Sequence, residues 1–295
     1  MGTLCLLSAL VFAASFTQAA DKAAKPNIIL ILADDLGAKE LSCYGSTRHR
    51  TPNLDRMATE GVRFETFYAT PLCTPTRVAL MTGQYGFRNG FLGMQDPAFK
   101  PAPNSPLAAI GNQFTHADLM KSCGYATALS GKWQLAGKLP TLVYDAGFDE
   151  YLMWAYAYNL PPGITHPAYP RGDNDTRYWK PCLLQNGKYR PTTPEEFGPD
   201  LFNEFVLDFA RRHKKEPFFV YYTSVLTHGP RVETPDPTKP GAFWPAGLKS
   251  NLEYLDHLMG RLFAALKAEG LDDNTLVIFI GDNGTAGEGK NTITE

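Results

Sequence analysis

The chain has 295 residues, of which 44% are hydrophobic and 20% are charged. This composition excludes a disordered, collagen-like or coiled-coil chain, and the length fits one large α/β domain or two modest ones. The formal charge of -2 and the lack of a basic run argue against a nucleic-acid-binding protein, which would need cations to neutralise phosphates.

Residues 1–20 are predicted to be a secretory signal peptide. Residues 4–14 are apolar, and small residues at alternating positions up to Ala20 suit signal peptidase. Because a basic first segment is missing, a buried or amphipathic first helix is the alternative. The stretch is shorter than the roughly 20 apolar residues that span a bilayer, and no other segment qualifies. We therefore expect a secreted or periplasmic protein without a membrane span.

Four short segments rich in β-branched and aromatic residues are predicted to be strands: 27–33, 125–129, 217–225 and 275–280. The first reads N-I-I-L-I-L-A and is apolar on both faces, as a buried parallel strand is. The segments alternate with helical patterns. This order predicts an α/β fold with a mainly parallel central sheet sandwiched by helices.

Helices are predicted at 52–60, 199–214 and 248–268, where apolar residues recur with the helical period. Glycine and proline concentrate at 84–112, 135–199 and 229–247. We expect these segments to be long loops that form the walls of a substrate pocket.

Polar residues follow each predicted strand. Because ligands of parallel α/β sheets bind beyond the carboxyl ends of the strands, these residues predict one shared site. They are, strand by strand, Asp34 and Asp35, Lys132, His228, and Asp282 and Asn283. The carboxylate and amide oxygens among them suit Ca²⁺ or Mg²⁺, although each acidic pair alone is also common in turns and helix caps.

The segment 73–77, C-T-P-T-R, places Cys73 at the amino end of a helix, since Pro75 suits a first helical turn. Backbone N–H groups and the helix dipole favour an anion there and lower a thiol pKa. Arg77 follows one turn later on the same face and can hold an oxyanion in a bidentate fork. A small buried cysteine in a helix cap is the alternative.

The motif C-T-P-T-R-x-x-x-x-T-G at 73–83 is similar to the signature of type I sulfatases in the alkaline phosphatase superfamily. It is joined in family order by Asp34-Asp35, T-P-N-L-D at 51–55, G-K-W at 131–133, His228 and D-N-G at 282–284. The resemblance covers about 25–295. It implies that 21–295 is the N-terminal portion of the catalytic domain, and that further strands and a small C-terminal domain are absent from this chain.

The resemblance also implies a role for each matching residue. Cys73 would be oxidised to formylglycine by a formylglycine-generating enzyme, and Arg77 would hold the formylglycine side chain in position. Lys132 and Lys290, the latter in a G-K-x-x-x-x-E segment at 289–295, would hold sulfate oxygens, and His228 would lie beside the leaving oxygen. Calcium, rather than magnesium, would be bound by Asp34, Asp35, modified Cys73, Asp282 and Asn283.

One position departs from the family pattern. The usual G-K-W-H reads G-K-W-Q here, so Gln134 stands where a histidine is expected to accept a proton. Glutamine can hydrogen-bond to a substrate but cannot act as a base near pH 7. We expect a working enzyme with a variant site.

The segment 135–199 contains aromatic and basic residues that suit a sulfated sugar ring: Trp154, Tyr156, Tyr158, Tyr169, Arg171, Arg177, Tyr178 and Trp179. Packing of these aromatic rings onto the domain is the other interpretation. A sulfated carbohydrate is the preferred substrate, and an aryl or alkyl sulfate is the second choice. Two other functions stay open: a phosphate or phosphonate ester hydrolase of the same superfamily, and a non-catalytic homologue that binds sulfated ligands.

Overall fold

The computed structural model describes residues 25–93, 110, 113–135, 141, 143–155, 160–161, 163–164, 177–287 and 293–294. The predicted signal peptide lies outside them. The strands β1 to β11 are Asn27–Ala33, Ala126–Lys132, Glu150–Trp154, Leu183–Gln185, Lys188–Arg190, Phe218–Thr223, Thr234–Pro235, Phe243–Trp244, Thr275–Gly281, Thr285–Ala286 and Ile293–Thr294. The helices α1 to α6 are Pro52–Glu60, Cys73–Thr82, Gly86–Asn89, His116–Ser122, Gly198–Arg212 and Leu248–Ala268.

Seven strands form a central sheet in the order β5-β4-β3-β2-β6-β1-β9. The neighbours from β3 to β9 are all parallel, whereas β4 and β5 add an antiparallel hairpin at one side. The register places Ala33 of β1 opposite Gly281 of β9, and Leu32 opposite Thr223 of β6. The predicted mainly parallel sheet is confirmed, and its parallel strands end at a common edge.

Two apolar cores cover the two faces of this sheet. Ile29 and Ile31 of β1 belong to the core that includes α5 and α6, whereas Leu30 and Leu32 belong to the core that includes α2 and α4. Burial on both sides explains why β1 is an uninterrupted apolar run. The expected helix layers on both faces are confirmed.

The second strand is longer than predicted, because β2 continues from 129 to Lys132. Gly131 permits this continuation: its φ is +112°, and a Cβ atom there would lie 1.9 Å from the carbonyl oxygen of Thr223. Only glycine allows β2 to approach β6 so closely. The extra residues carry Lys132 to the sheet edge.

The prediction of a long loop over 135–199 is wrong for part of this segment, because β3, β4 and β5 lie in it. Asn186 and Gly187 join β4 to β5, and both have positive φ, 49° and 80°. This is the two-residue turn that Asn-Gly favours between hairpin strands. The shortness of the flanking strands, three residues each, hides the pattern in the sequence.

Among the described residues, none of the helices has both the length and the apolar composition of a membrane-spanning helix.

Candidate active site

Asp34 and Asp35 directly follow β1 at the common strand edge. The backbone of Asp34 is tied to the segment after β6, because its N–H donates to Leu226 O at 2.9 Å and its carbonyl accepts from Thr227 N–H at 2.6 Å. Asp35 has a positive φ of 54°. Such a conformation is uncommon for a residue other than glycine, and it turns the two adjacent carboxylates toward different neighbours.

The carboxylate of Asp34 is fully buried and bound by a lysine at the end of β2. Nζ of Lys132 donates to both carboxylate oxygens, at 2.8 and 2.7 Å. Nη2 of Arg77 lies 3.4 Å from Oδ1 of the same group. Two buried cations therefore face one buried carboxylate, which is the pairing that charge burial requires.

Arg77 connects α2 to two strands. Its Nη2 donates to Oδ2 of Asp282 at 2.7 Å, and its Nη1 donates to the carbonyl oxygen of Lys132 at 3.0 Å. The residue is 1% exposed. Because these contacts fix the guanidinium on either side, Arg77 also fixes where the first turn of α2 meets the sheet edge.

Asp282 and Asn283 follow β9 and bind the backbone and side chain of Asp35. Oδ1 of Asp282 accepts from the Asp35 N–H at 3.0 Å, and Nδ2 of Asn283 donates to Oδ1 of Asp35 at 2.7 Å. Gly281 makes the approach of the two chain segments feasible, since a Cβ there would lie 2.1 Å from Leu36 O. The predicted acidic residues from opposite ends of the sequence thus meet.

Cys73 is the first residue of α2 and is buried. The residue before the helix makes no side-chain cap, so no such cap occupies the N–H groups of the first turn. The Cys73 sulfur and the carboxylate oxygens of Asp34 and Asp282 lie within 4.8 Å of one another. A second group with the same spacing joins Asp34, Asp35 and His228.

His228 lies on the segment after β6, as predicted. Its Nε2 is 3.7 Å from Oδ2 of Asp35. The hydroxyl of Tyr178 donates to the carbonyl oxygens of Val225 and His228 and so braces this segment. Burial, followed by the charge of Arg177, lowers the pKa of His228 to about 3, so the imidazole is neutral near pH 7.

Burial and neighbouring charges shift the pKa values of the acidic groups in opposite directions. For Asp34, burial favours the protonated form, but the charges of Lys132, His228, Arg77 and Arg177 outweigh it and lower the pKa well below its ordinary value. A carboxylate with such partners stays ionised.

The pKa values of Asp282 and Asp35 are raised, unlike that of Asp34. Burial, followed by the negative charge of Asp34, raises the pKa of Asp282 to about 7 and also raises that of Asp35. Burial is the larger cause, and repulsion by the neighbouring Asp34 carboxylate adds to it. A divalent cation between the groups would remove the repulsion.

The donor set fits a hard divalent cation. Three carboxylates converge, and Oδ1 of Asn283 is buried and has no hydrogen-bond partner among the described residues. An oxygen in that state suits an oxygen-seeking ion such as calcium, for which carboxylates and amide carbonyls are ordinary ligands. The predicted ligands Asp34, Asp35, Cys73, Asp282 and Asn283 are therefore brought together.

The remaining predicted residues have different outcomes. Gln134 is 6% exposed, has a φ of 50°, and its Oε1 is buried with no hydrogen-bond partner among the described residues. Lys290 lies outside the described residues, as do Tyr156, Tyr158, Tyr169 and Arg171. Trp154, Tyr178 and Trp179 are buried in the core, so packing is the correct interpretation for these three rings.

Arg177 lies closer to the carboxylates than its place in the segment 135–199 indicates. Its Nη1 lies 3.8 Å from Oδ2 of Asp34. Its position could not be deduced, because no motif spacing connects it to the strand ends.

A parallel sheet whose edge carries buried carboxylates, buried cations and a cysteine at a helix start defines an α/β protein with a charged candidate site at its strand ends. The family model described as Sulfatase matches residues 26–294. The chain therefore belongs to the type I sulfatase family of the alkaline phosphatase superfamily, as its motifs predict.

Similar proteins agree with this assignment. The chain is 32% identical over 278 residues to N-acetylgalactosamine-6-sulfatase of Rattus norvegicus, a match that covers 88% of this chain and 50% of the relative. It is 34% identical over 272 residues to arylsulfatase A of Homo sapiens, covering 88% and 52%.

A solved structure from Bacteroides thetaiotaomicron, described under metabolism of multiple glycosaminoglycans, has a TM-score of 0.67 and 28% identity. That match covers 90% of this chain and 64% of the other. The chain spans about half the length of the curated relatives that it matches.

Proposed function

We propose that the chain carries the catalytic centre of a sulfuric ester hydrolase that releases sulfate from a sulfated carbohydrate. The observation that carries this proposal is the position of Cys73 at the start of α2, with its sulfur within 4.8 Å of the Asp34 and Asp282 oxygens. Arg77 and Lys132 contact the same carboxylates. Fixed positive charge around a nucleophile is what expulsion of an oxygen from a sulfuryl group requires.

Calcium is the proposed metal, held by Asp34, Asp35, Cys73, Asp282 and Asn283. Bound there, it would supply Lewis acidity and positive charge to a sulfate oxygen. The raised pKa of Asp282 and the unpartnered amide oxygen of Asn283 support this assignment, because both are conditions that a bound cation relieves. Magnesium is less suited, since it demands near-ideal octahedral geometry and is rarely bound by an all-protein cage.

Cys73 is the proposed site of oxidation to formylglycine by a formylglycine-generating enzyme. The hydrated aldehyde would supply a hydroxyl nucleophile that can be regenerated, which a thiol does not. The start of α2 supports this role, because Cys73 is its first residue and no side-chain cap from Leu72 occupies the N–H groups of that turn.

The chain's other residues would bind and orient the substrate. Lys132 would hold a sulfate oxygen, and Lys290 would hold another. Arg77 would fix the Cys73 side chain, since it is itself fixed by Asp282. His228, neutral near pH 7, would lie beside the leaving oxygen and orient it by a hydrogen bond. Gln134 would donate a hydrogen bond to the sulfate group but would not accept its proton.

A carbohydrate is the proposed substrate class because of the relatives. The rat protein is named for N-acetylgalactosamine-6-sulfate, and the bacterial structure is described under glycosaminoglycan metabolism. The predicted signal peptide supports a secreted or periplasmic location, where the enzyme would encounter sulfated polysaccharides. The aryl sulfate alternative has a relative of its own, arylsulfatase A.

The experiment is co-expression with a formylglycine-generating enzyme, followed by mass spectrometry of the tryptic peptide 64–77 and a turnover assay. We expect conversion of Cys73, hydrolysis of N-acetylgalactosamine 6-sulfate, and much slower hydrolysis of the matched 6-phosphate. Cys73→Ala should abolish turnover, while Cys123→Ala, at an exposed cysteine, should leave it unchanged.

Two results would reject the proposal. Faster hydrolysis of the phosphate would identify a phosphate ester hydrolase. Stable sulfate binding without product, from protein whose Cys73 is converted, would identify a binding protein. Removal of calcium with EDTA should lower turnover and the melting temperature together, and calcium should restore both better than magnesium.

A further inference from the structure

Residues 225–228, directly after β6, form a tight turn that ends at His228. The N–H of His228 donates to the carbonyl oxygen of Val225 at 3.2 Å, which closes the turn over four residues. The segment after β1 supplies one set of contacts to this turn, since the hydroxyl of Thr227 donates to the carbonyl oxygen of Asp35 at 3.1 Å. The turn is therefore fixed against the backbone that carries the acidic residues.

Tyr178 supplies a second set of contacts to the same turn. Its hydroxyl is shared between the carbonyl oxygens of Val225 and His228, the two residues that the internal hydrogen bond of the turn joins. One phenol thus ties both ends of the turn to a single point of the core. Because one of these carbonyls belongs to His228, the contact acts on the site residue itself and not on a distant part of the loop.

Tyr178 is itself held by its ring and by its backbone. The residue is fully buried, and its ring stacks on Phe197 with the centroids 6.2 Å apart and the planes at 22°. Its carbonyl oxygen accepts the N–H of Gly198, the first residue of α5, at 2.7 Å. The hydroxyl is therefore presented by a rigid part of the helix layer, which is what precise placement of another group requires.

Trp179 adds a contact farther along the segment that follows β6. Its Nε1 donates to the carbonyl oxygen of Glu233 at 2.8 Å. Its ring lies against Phe197 and Phe243, at centroid distances of 4.7 and 5.4 Å. Two consecutive side chains therefore hold this segment at two points, one at His228 and one at Glu233.

The imidazole of His228 is oriented by the turn in which it lies. Nδ1 lies within hydrogen-bonding distance of the carbonyl oxygen of Gly229, and because a carbonyl only accepts, Nδ1 carries the hydrogen. Nε2 is then the acceptor nitrogen of the neutral ring, and it lies 3.7 Å from Oδ2 of Asp35. Since the ring is bonded to its own turn, a displacement of the turn would move Nε2 relative to the carboxylates.

An acceptor nitrogen in this place suits a leaving group that ends as a hydroxyl. As the bond between sulfur and a sugar oxygen breaks, its electron pair moves onto that oxygen, and a proton reaches the oxygen through water from the attacking hydroxyl. The forming sugar hydroxyl can then donate to Nε2. A 4-nitrophenolate ion is far less basic and leaves without a proton. The contact therefore assists a sugar sulfate more than 4-nitrophenyl sulfate.

We propose that Tyr178 is a positioning residue for the reaction, because its hydroxyl holds the 225–228 turn and thereby keeps Nε2 of His228 beside the leaving oxygen of a sugar sulfate. This inference rests on the proposed function. It gives a role to a tyrosine outside the motifs of the sequence, at a place in the core where the ring of phenylalanine would fill nearly the same space.

The test uses the full chain, matured and loaded with calcium. Tyr178→Phe removes the hydroxyl and keeps the ring that stacks on Phe197. Tyr254→Phe is the matched control, because Tyr254 is also buried, packs on Phe197 at 5.4 Å, and donates to Asp200 instead of to the turn. The measured quantities are kcat and KM for N-acetylgalactosamine 6-sulfate and for 4-nitrophenyl sulfate, in the wild-type and His228→Ala backgrounds.

We expect Tyr178→Phe to lower kcat for the sugar sulfate by about 10- to 100-fold, as a small misplacement of a group at the reacting atoms does. Its kcat for 4-nitrophenyl sulfate, and its KM for either ester, should change by less than about threefold. In the His228→Ala background Tyr178→Phe should have little further effect, because both residues act through one contact. Tyr254→Phe should keep the wild-type ratio of the two kcat values.

Amide hydrogen exchange tests the turn without turnover. The N–H groups of Thr227 and His228 donate to the carbonyl oxygens of Asp34 and Val225. Both should exchange faster in Tyr178→Phe than in the wild type, because the turn opens more often when its hydroxyl contact is lost. The Tyr254→Phe variant should leave both rates unchanged.

Three outcomes overturn the proposal. An equal fall in kcat for both esters would make Tyr178 a structural residue. A full additional loss in the His228→Ala background would show that Tyr178 does not act through His228. Unchanged kcat for the sugar sulfate would show that its hydroxyl is not needed to place the imidazole. Wild-type protein that hydrolyses neither ester would instead reject the proposed function, and the exchange rates would then decide whether Tyr178 holds the turn.

Discussion

His116, the first residue of α4, lies among aromatic rings on the face of the sheet that packs against α2 and α4. Its ring makes edge contacts with Phe148, Phe219 and Tyr221 at centroid distances of 6.3, 5.0 and 5.2 Å. Although the residue as a whole is half-buried, both ring nitrogens are shielded and have no hydrogen-bond partner among the described residues. Burial lowers the pKa of His116 from 6.5 to about 4.

This shift predicts how stability depends on pH. The folded chain keeps the ring neutral down to about pH 4, whereas the unfolded chain binds a proton below 6.5. The contribution of the neutral His116 ring to the free energy of unfolding is therefore fully present above pH 6.5 and is lost as the pH falls toward 4. At 1.36 kcal/mol per pKa unit, the full loss is roughly 3 kcal/mol, of which about 2 kcal/mol is gone by pH 5.

His116→Phe isolates this contribution, because phenylalanine fits among the same rings and does not titrate. The free energy of unfolding is measured by urea titration of both proteins between pH 4.5 and 7.5. The pH dependence contributed by all other titratable groups is common to both proteins, so it cancels in the difference between their free energies of unfolding. We expect the variant to gain about 2 kcal/mol relative to the wild type between pH 7.5 and 5.

The slope of that difference is the critical result. A difference that stays constant within about 0.5 kcal/mol would show that the folded imidazole keeps its ordinary pKa, and the burial argument would be refuted. A difference that falls with decreasing pH would show that the folded chain binds the proton more tightly than the unfolded chain.

Three further substitutions test the site and its support. Gln134→His should raise kcat for a sulfate ester at least about tenfold, because an imidazole accepts a proton near pH 7 and histidine tolerates the positive φ of this position. Gln134→Asn is the amide control, and an unchanged kcat in Gln134→His would contradict this expectation. Asp256→Ala should cost about 2–4 kcal/mol in urea unfolding, because its buried carboxylate accepts the N–H of Asn53 and anchors the start of α1; a loss below about 1 kcal/mol would be inconsistent with that anchor. Gly131→Ala should cost at least about 3 kcal/mol, because the new methyl group would overlap the Thr223 carbonyl; wild-type stability in the same assay would disprove the close approach.

Strong periodicity made part of the fold predictable. The observed bounds of β1, α1 and α6 are the predicted ones, since each is a long or sharply bounded apolar pattern. The strands β4 and β5 are not evident from the sequence because they are only three residues long. The pairing of β4 with β3, and of β5 with β4, stabilises them more than their own composition does. The Asn186-Gly187 turn was the local signal that could have revealed them.

The membership of the site was predictable, but its pairings were not. Strand ends and the C-T-P-T-R motif identified Asp34, Cys73 and Asp282, and the fold brings them together. Which cation meets which carboxylate depends on tertiary distances, such as the 2.7 Å contact between Arg77 and Asp282. Arg177 was the hardest to place, because its approach to Asp34 depends on a stacking contact with Trp154 that no sequence spacing encodes.

Several local rules of structure fail where the chemistry is proposed to occur. Asp35 and Gln134 have positive φ although neither is glycine; Asp35 belongs to the carboxylate cluster, and Gln134 follows Lys132 by two residues. Asp34 and Asp282 are buried close together despite their repulsion. Each departure costs stability by itself, so the surrounding contacts must hold it: the β1 to β9 register fixes Asp282 against Asp35, and the Gly131 approach fixes Lys132 against Asp34. Because positive φ and buried like charges occur at the same sheet edge, a bound cation would reduce the repulsion there and stabilise this part of the fold.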